Sequence, residues 1–166
     1  MKNIFLILSA ILTIFIMPIS MASNFDNGST IFGPLVANAT TYDKQIKVLG
    51  PVKSTDSIFN GELKILGPIE AINSKINKNS EIYGDIKFTN STATAKIVTK
   101  GKTNHFLNGS SLKDLTLLKP DFGSQTVLID NSIVNGDIKF EKEGEVILRN
   151  NGKVTGNVIN GKIITN

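Results

Sequence analysis

Ile31-Phe32-Gly33-Pro34, Val48-Leu49-Gly50-Pro51, Ile65-Leu66-Gly67-Pro68 and Ile82-Tyr83-Gly84-Asp85 follow one another at a fixed spacing of 17, and Gly101 stands a further 17 on. The flanking positions keep the same register. Two residues before each glycine stand Ile31, Val48, Ile65 and Ile82; two after stand Leu35, Val52, Ile69 and Ile86. Side chains two apart lie on one face of a strand, so each copy reads as two short strands meeting at a corner. Nine residues after the first three glycines a further apolar column appears, Tyr42, Phe59 and Ile76, which points to another inward-facing strand in every repeat.

Seventeen residues are too few for the helix pairs of the common helical repeats. Ile, Val, Thr and Phe fill the periodic positions while Gly, Asn, Asp and Ser fill the gaps, the composition of strands joined by tight turns. The expected fold is all-β, a single-stranded parallel β-helix (solenoid) with about 17 residues per coil. Coils stack about 4.8 Å apart, so about eight of them make a rod of roughly 38 Å. Gly33-Pro34, Gly50-Pro51 and Gly67-Pro68, with Gly84, mark its corners: glycine for positive φ or close approach of chains, proline because a corner does not need its missing amide hydrogen. An antiparallel sandwich with evenly spaced strands is the competing architecture.

Beyond Gly101 the register slips by one residue and resumes. Leu117-Leu118-Lys119-Pro120 answers Ile65-Leu66-Gly67-Pro68, and Gly84-Asp85-Ile86-Lys87-Phe88 recurs identically as Gly136-Asp137-Ile138-Lys139-Phe140, both at an offset of 52. On that count Gly136 is a further corner of the Gly84 type, and Asp85 and Asp137 hold equivalent positions. Lys87 and Lys139 then fall on one flat face. A second alignment, out of phase with the first, sets Ser57–Ile65 against Ser132–Phe140. Residues 89 to 116 are the least regular, with Thr and Ser in place of apolar residues, and are expected to bulge as a recognition loop.

The recurring Ile-x-Gly-Asp-Ile and Val-x-Gly-Asn-Val units, the coil length near 17, and the run from Gly136 through Val146-Ile147-Leu148 to Val154-Thr155-Gly156-Asn157-Val158 resemble the bactofilin type of polymer-forming β-helix. They are also similar to small exported bacterial repeat proteins of unknown function. The resemblance covers residues 30 to 162. It implies the fold and a tendency to stack end to end, and it brings no catalytic residue. Bactofilins are typically cytoplasmic, whereas this chain opens with an export signal.

In that signal Lys2 precedes an apolar run from Ile4 to Met17, and Ser20 and Ala22 supply a small-residue exit, so residues 1–22 read as a signal peptide cleaved after Ala22. Residues 23–30 read as a flexible leader and 31–166 as the solenoid. No later stretch reaches the length of a membrane span, which places the mature protein in the periplasm, at the cell surface or outside the cell. With Lys2 gone, the 18 Lys and Arg become 17 against 14 Asp and Glu. That mild excess alternates with apolar residues instead of clustering, so nucleic acid is not an expected partner.

Cysteine is absent and His105 is the lone histidine, which removes disulfides, thiolate metal sites and most nucleophilic constellations. No cofactor, metal or catalytic residue is expected. A carboxylate ladder through Asp85, Asp137 and Glu62 would be the one route to cation binding or sugar chemistry, but acids beside glycine are ordinary turn formers. Asn-x-Ser/Thr triplets begin at Asn27, Asn38, Asn90 and Asn108, as a chain this rich in those residues produces by chance. The expected role is structural, self-associating or adhesive. Binding of envelope or host polysaccharide on the Lys87 and Lys139 face is the alternative, and a polysaccharide-active enzyme stands behind both.

Overall fold

Alternating apolar and polar residues in runs of two to six cannot bury a face alone; they do so by stacking on the next copy of themselves. The computed structural model, which describes residues 28–165, shows this arrangement. It is an all-β parallel solenoid of about eight turns with about 17 residues per turn. The expected signal peptide and most of the leader lie outside the described residues, and the first strand begins at Ser29, two residues inside the expected leader.

Among the described residues twenty-one strands, β1 to β21 in chain order, build three faces. Face 1 stacks β1 (Ser29–Phe32), β4 (Ile46–Leu49), β7 (Leu63–Ile65), β10 (Ser80–Ile82), β13 (Ile97–Thr99), β16 (Leu115–Leu117) and the first part of β19 (Ile138–Arg149). Face 2 stacks β2 (Leu35–Asn38), β5 (Val52–Thr55), β8 (Ile69–Ile72), β11 (Ile86–Thr89), β14 (Thr103–Leu107), β17 (Gln125–Asp130) and the last part of β19. Face 3 holds β3 (Thr41–Tyr42), β6 (Ile58–Phe59), β9 (Lys75–Ile76), β12 (Thr92–Ala93), β15 (Ser111–Leu112), β18 (Ile133–Val134) and β20 (Lys153–Val154). The last strand, β21 (Val158–Thr165), runs along both parts of β19. Every pairing is parallel, as stacked coils require, which excludes the sandwich.

The core is a set of inward columns. Val48, Ile65, Ile82 and Leu117 line face 1; Val52, Ile69, Ile86 and Val127 line face 2; Phe59, Ile76, Leu112 and Val134 line face 3, all at 3% exposure or less. In two coils, Phe59 on face 3 is joined by Ser54 on face 2, and Phe88 on face 2 by Ala93 on face 3, so one ring is accommodated by a small residue across the coil.

The corner between faces 2 and 3 shows a device absent from the sequence reading. Once per coil the chain enters the left-handed region, at Ala39, Asp56, Asn73, Asn90, Asn108, Asn131 and Asn150, with φ between 44° and 52°. Asn and Asp tolerate this conformation better than other residues with a Cβ. The serines that follow are buried and form a ladder: Ser57 N donates to Ser74 Oγ (3.2 Å), Ser74 N to Ser91 Oγ (3.0 Å), and Ser91 N to Ser110 Oγ (3.2 Å). Each hydroxyl in turn donates to a backbone carbonyl of its own coil, as Ser74 Oγ does to Ile72 O at 2.9 Å. Amides that the bend leaves without a strand partner are thereby satisfied. The Asn90 triplet is part of this corner.

Residues 89 to 116 do not bulge. They form β12 to β16 in register, because their Thr and Ser either face solvent or are hydrogen-bonded inside. The excursion lies at 118–124, where Leu117 pairs with Phe140 at an offset of 23 in place of the usual 17. There Phe122 is 73% exposed with Lys102 Nζ 4.7 Å from its ring centre.

Candidate functional site

The expected corner glycines Gly33, Gly50, Gly67 and Gly84 do stack at one edge of the rod, between faces 1 and 2, with Gly101 continuing the column. Beside them Pro34, Pro51 and Pro68 form a ridge. Phe32 (81% exposed), Leu66 (44%) and Tyr83 (39%) flank it on face 1.

On face 2 the ridge walls a shallow groove of about 530 Å³ whose floor is the outward column Val36, Lys53, Glu70, Lys87 and His105. Parallel stacking puts each of these side chains directly over the one before it. Lys87 Nζ reaches Glu70 Oε1 at 2.9 Å, and this hydrogen bond, with the Lys87 and Lys53 charges, holds the Glu70 carboxyl below the usual carboxylate range. Glu70 lies between Lys53 and Lys87 in this column, so it offsets one of the two lysines and the floor keeps one excess positive charge.

Lys139 is not on this face. Its column on face 1 runs through Lys47, Lys64, Glu81, Val98 and Thr116, where Lys64 Nζ lies 2.7 Å from Glu81 Oε2. The identical pentapeptides occupy different faces because Gly136 turns the corner between faces 3 and 1, as Gly61 does, and not the corner of Gly84. The out-of-phase alignment is the structural one; the offset of 52 is coincidental for this motif, though it holds for Leu117 against Ile65. Asp85 and Asp137 are likewise apart, each capping its own corner: Asp85 Oδ1 accepts from Lys102 N (2.8 Å) and Thr103 N (3.1 Å), and Asp137 Oδ1 from Asn157 N (2.7 Å). No carboxylate ladder forms through them. Among the described residues, no group of three or more His, Asp or Glu is placed to hold a metal ion.

A depressed folded-state pKa gives Glu70 a stabilising contribution that is present above its unfolded value, about 4.3, and is lost as pH falls through the lower folded value. The pair is exposed and screened, so its worth is about 1 kcal/mol or less. Lys87→Met is expected to remove that small contribution at pH 7, and its difference from the parent is expected to shrink as pH falls below the unfolded value, which urea unfolding over a range of pH measures.

The remaining special surfaces are the two ends. Among the described residues β1, β2 and β3 each pair on one side only, and so do β20 and β21. In the last coil Val154, Val158 and Ile163 continue the inward columns of Val134, Ile138 and Val146, yet all three are partly exposed and Ile163 is 48% so. No protein-family model, curated protein or solved structure matches this chain.

Proposed function

We propose that this chain is an exported, non-catalytic structural protein whose solenoids add end to end, head to tail, into a filament or surface layer. The observation that carries this reading is the C-terminal coil, which presents strand edges and core side chains that no further described coil covers. Its three inward positions, Val158, Ile163 and Val154, belong to the columns that begin with Ser29, Leu35 and Tyr42. A second copy set in the same stacking register would continue all three columns and pair the outward amides and carbonyls of the end strands as another parallel rung. Contact between unlike ends does not close on itself, so it propagates as an open fibre. Strand edges that no described residue pairs favour the same outcome.

Light scattering and negative-stain microscopy of the purified exported protein, over a range of concentration and salt, test this. Growth into filaments is expected. Ile163→Lys places a charge in the proposed contact and is expected to weaken association at least tenfold, about 1.4 kcal/mol, without lowering the monomer's melting temperature. A monodisperse monomer at high concentration would reject the reading. The alternative is lateral binding of envelope or host polysaccharide; with Lys87 and Lys139 on separate faces, it rests on the face 2 groove alone. Retention of the monomer on an envelope-glycan column would favour it.

A further inference from the structure

The inward columns are mostly apolar; besides Ser54 and Ser80, three larger polar residues interrupt them where the coil lengthens. Thr99, Asn104 and Gln125 are each 1% exposed or less, and Asn104 lies directly between Ile86 and Val127 in the face 2 column. They gather around Gly101, the last glycine in the corner column between faces 1 and 2. Thr99 Oγ1 accepts from Gly101 N (2.9 Å) and donates to Gly84 O (3.0 Å). Asn104 Nδ2 and Gln125 Nε2 both donate to Gly101 O, at 3.1 and 3.0 Å, and Gln125 Nε2 also donates to Leu118 O at 3.1 Å. A carbonyl can only accept, so the two amide groups cannot be turned over without setting oxygen against oxygen. Their oxygens, Asn104 Oδ1 and Gln125 Oε1, are buried, and no donor among the described residues reaches either.

The structure assigns an internal hydration site to this corner, in which ordered water donates to Asn104 Oδ1 and Gln125 Oε1. Buried acceptors are almost always satisfied. The partner of these two oxygens must therefore bring protons or positive charge to neutral amides. Water supplies two donors and needs only two to four polar partners. A hard cation is a poorer match, because it takes six or more oxygen ligands and favours carboxylates, and no group of acids suited to a metal stands among the described residues. The position has a structural logic. Gln125 grips Leu118 O, so one side chain ties together both ends of the 118–124 excursion, and the water fills the polar corner behind it.

A high-resolution crystal structure of the protein, together with oxygen-17 relaxation dispersion in solution, tests the assignment. Density at about 2.7–3.2 Å from the two amide oxygens is expected, along with at least one long-lived internal water. Asn104→Val, which continues the apolar column, is expected to remove at least one such water from the count. A dry corner in the parent crystal would overturn the proposal, as would density with six short oxygen contacts that follows the choice of sodium or potassium. A folded Asn104→Val protein with an unchanged water count would also overturn it; should that variant not fold, the parent density and relaxation data decide.

Discussion

Gly67→Ala is expected to cost more than about 3 kcal/mol, beyond the usual range for overpacking, although alanine is the smallest change available. A Cβ at Gly67 would stand 2.7 Å from both C and O of Gly50 and 3.1 Å from Pro51 N. All three are backbone atoms of the neighbouring coil, and parallel pairing on faces 1 and 2 holds that coil at its spacing on either side of the corner. No flexible side chain can give way. Gly33 provides the control, because a Cβ there meets nothing within 4 Å while its φ is +103°. Gly33→Ala should therefore show only the cost of left-handed backbone, about 1–2 kcal/mol. Chemical denaturation of both variants separates the two reasons for glycine, and a Gly67→Ala protein within about 0.5 kcal/mol of the parent would refute close approach as the cause, given how little most harmless substitutions change.

Phe88→Ala is the second large effect, with an expected loss of about 3–5 kcal/mol. The ring is fully buried and packs edge-on against Phe106, with ring centres 5.7 Å apart and planes at 86°. Its neighbour across the same coil, Ala93, stands in a column whose other members include Phe59, Ile76 and Leu112. Ala93→Phe alone overfills that coil and should cost about 1–3 kcal/mol or more. The double variant Phe88→Ala/Ala93→Phe moves the ring to the face that carries it in the second coil. It should be at least about 1 kcal/mol more stable than the two single losses added together. Strict additivity in the thermodynamic cycle would mean that the two sites do not share one volume.

Much of the architecture is legible because a solenoid writes its contact map along the chain. Positions that touch between coils are 17 apart, so a column such as Val48, Ile65 and Ile82 shows in the sequence as a period. The serine ladder is written the same way, since Asp56-Ser57, Asn73-Ser74 and Asn90-Ser91 recur at that interval; a pattern sought in apolar residues alone does not contain it. The reading of 89 to 116 as a bulge had a different cause. Thr99, Asn104 and Ser110 look like surface residues by composition, and only their hydrogen bonds show that they belong inside.

The candidate surface was less legible. Gly-Asp-Ile-Lys-Phe specifies a corner followed by a strand with its isoleucine and phenylalanine inward, and both copies obey that. Nothing within the motif says which of three similar corners is meant. That choice depends on how many residues intervene, and the 118–124 excursion changes the count without changing the local pattern. Lys87 therefore lies in the face 2 groove against Glu70 and Lys139 on face 1.

The amino-acid sequence by itself determined the coil length, the three inward columns and the position of the Gly-Pro corner, since these follow from side-chain periodicity and backbone freedom repeated at one interval. Only the tertiary structure decided the face of each repeated motif, which of two reasons calls for glycine at Gly33 and at Gly67, and the polar residues the core accepts. Those depend on the coil above and the coil below, and phase between coils is a sum over every intervening residue that no local stretch contains.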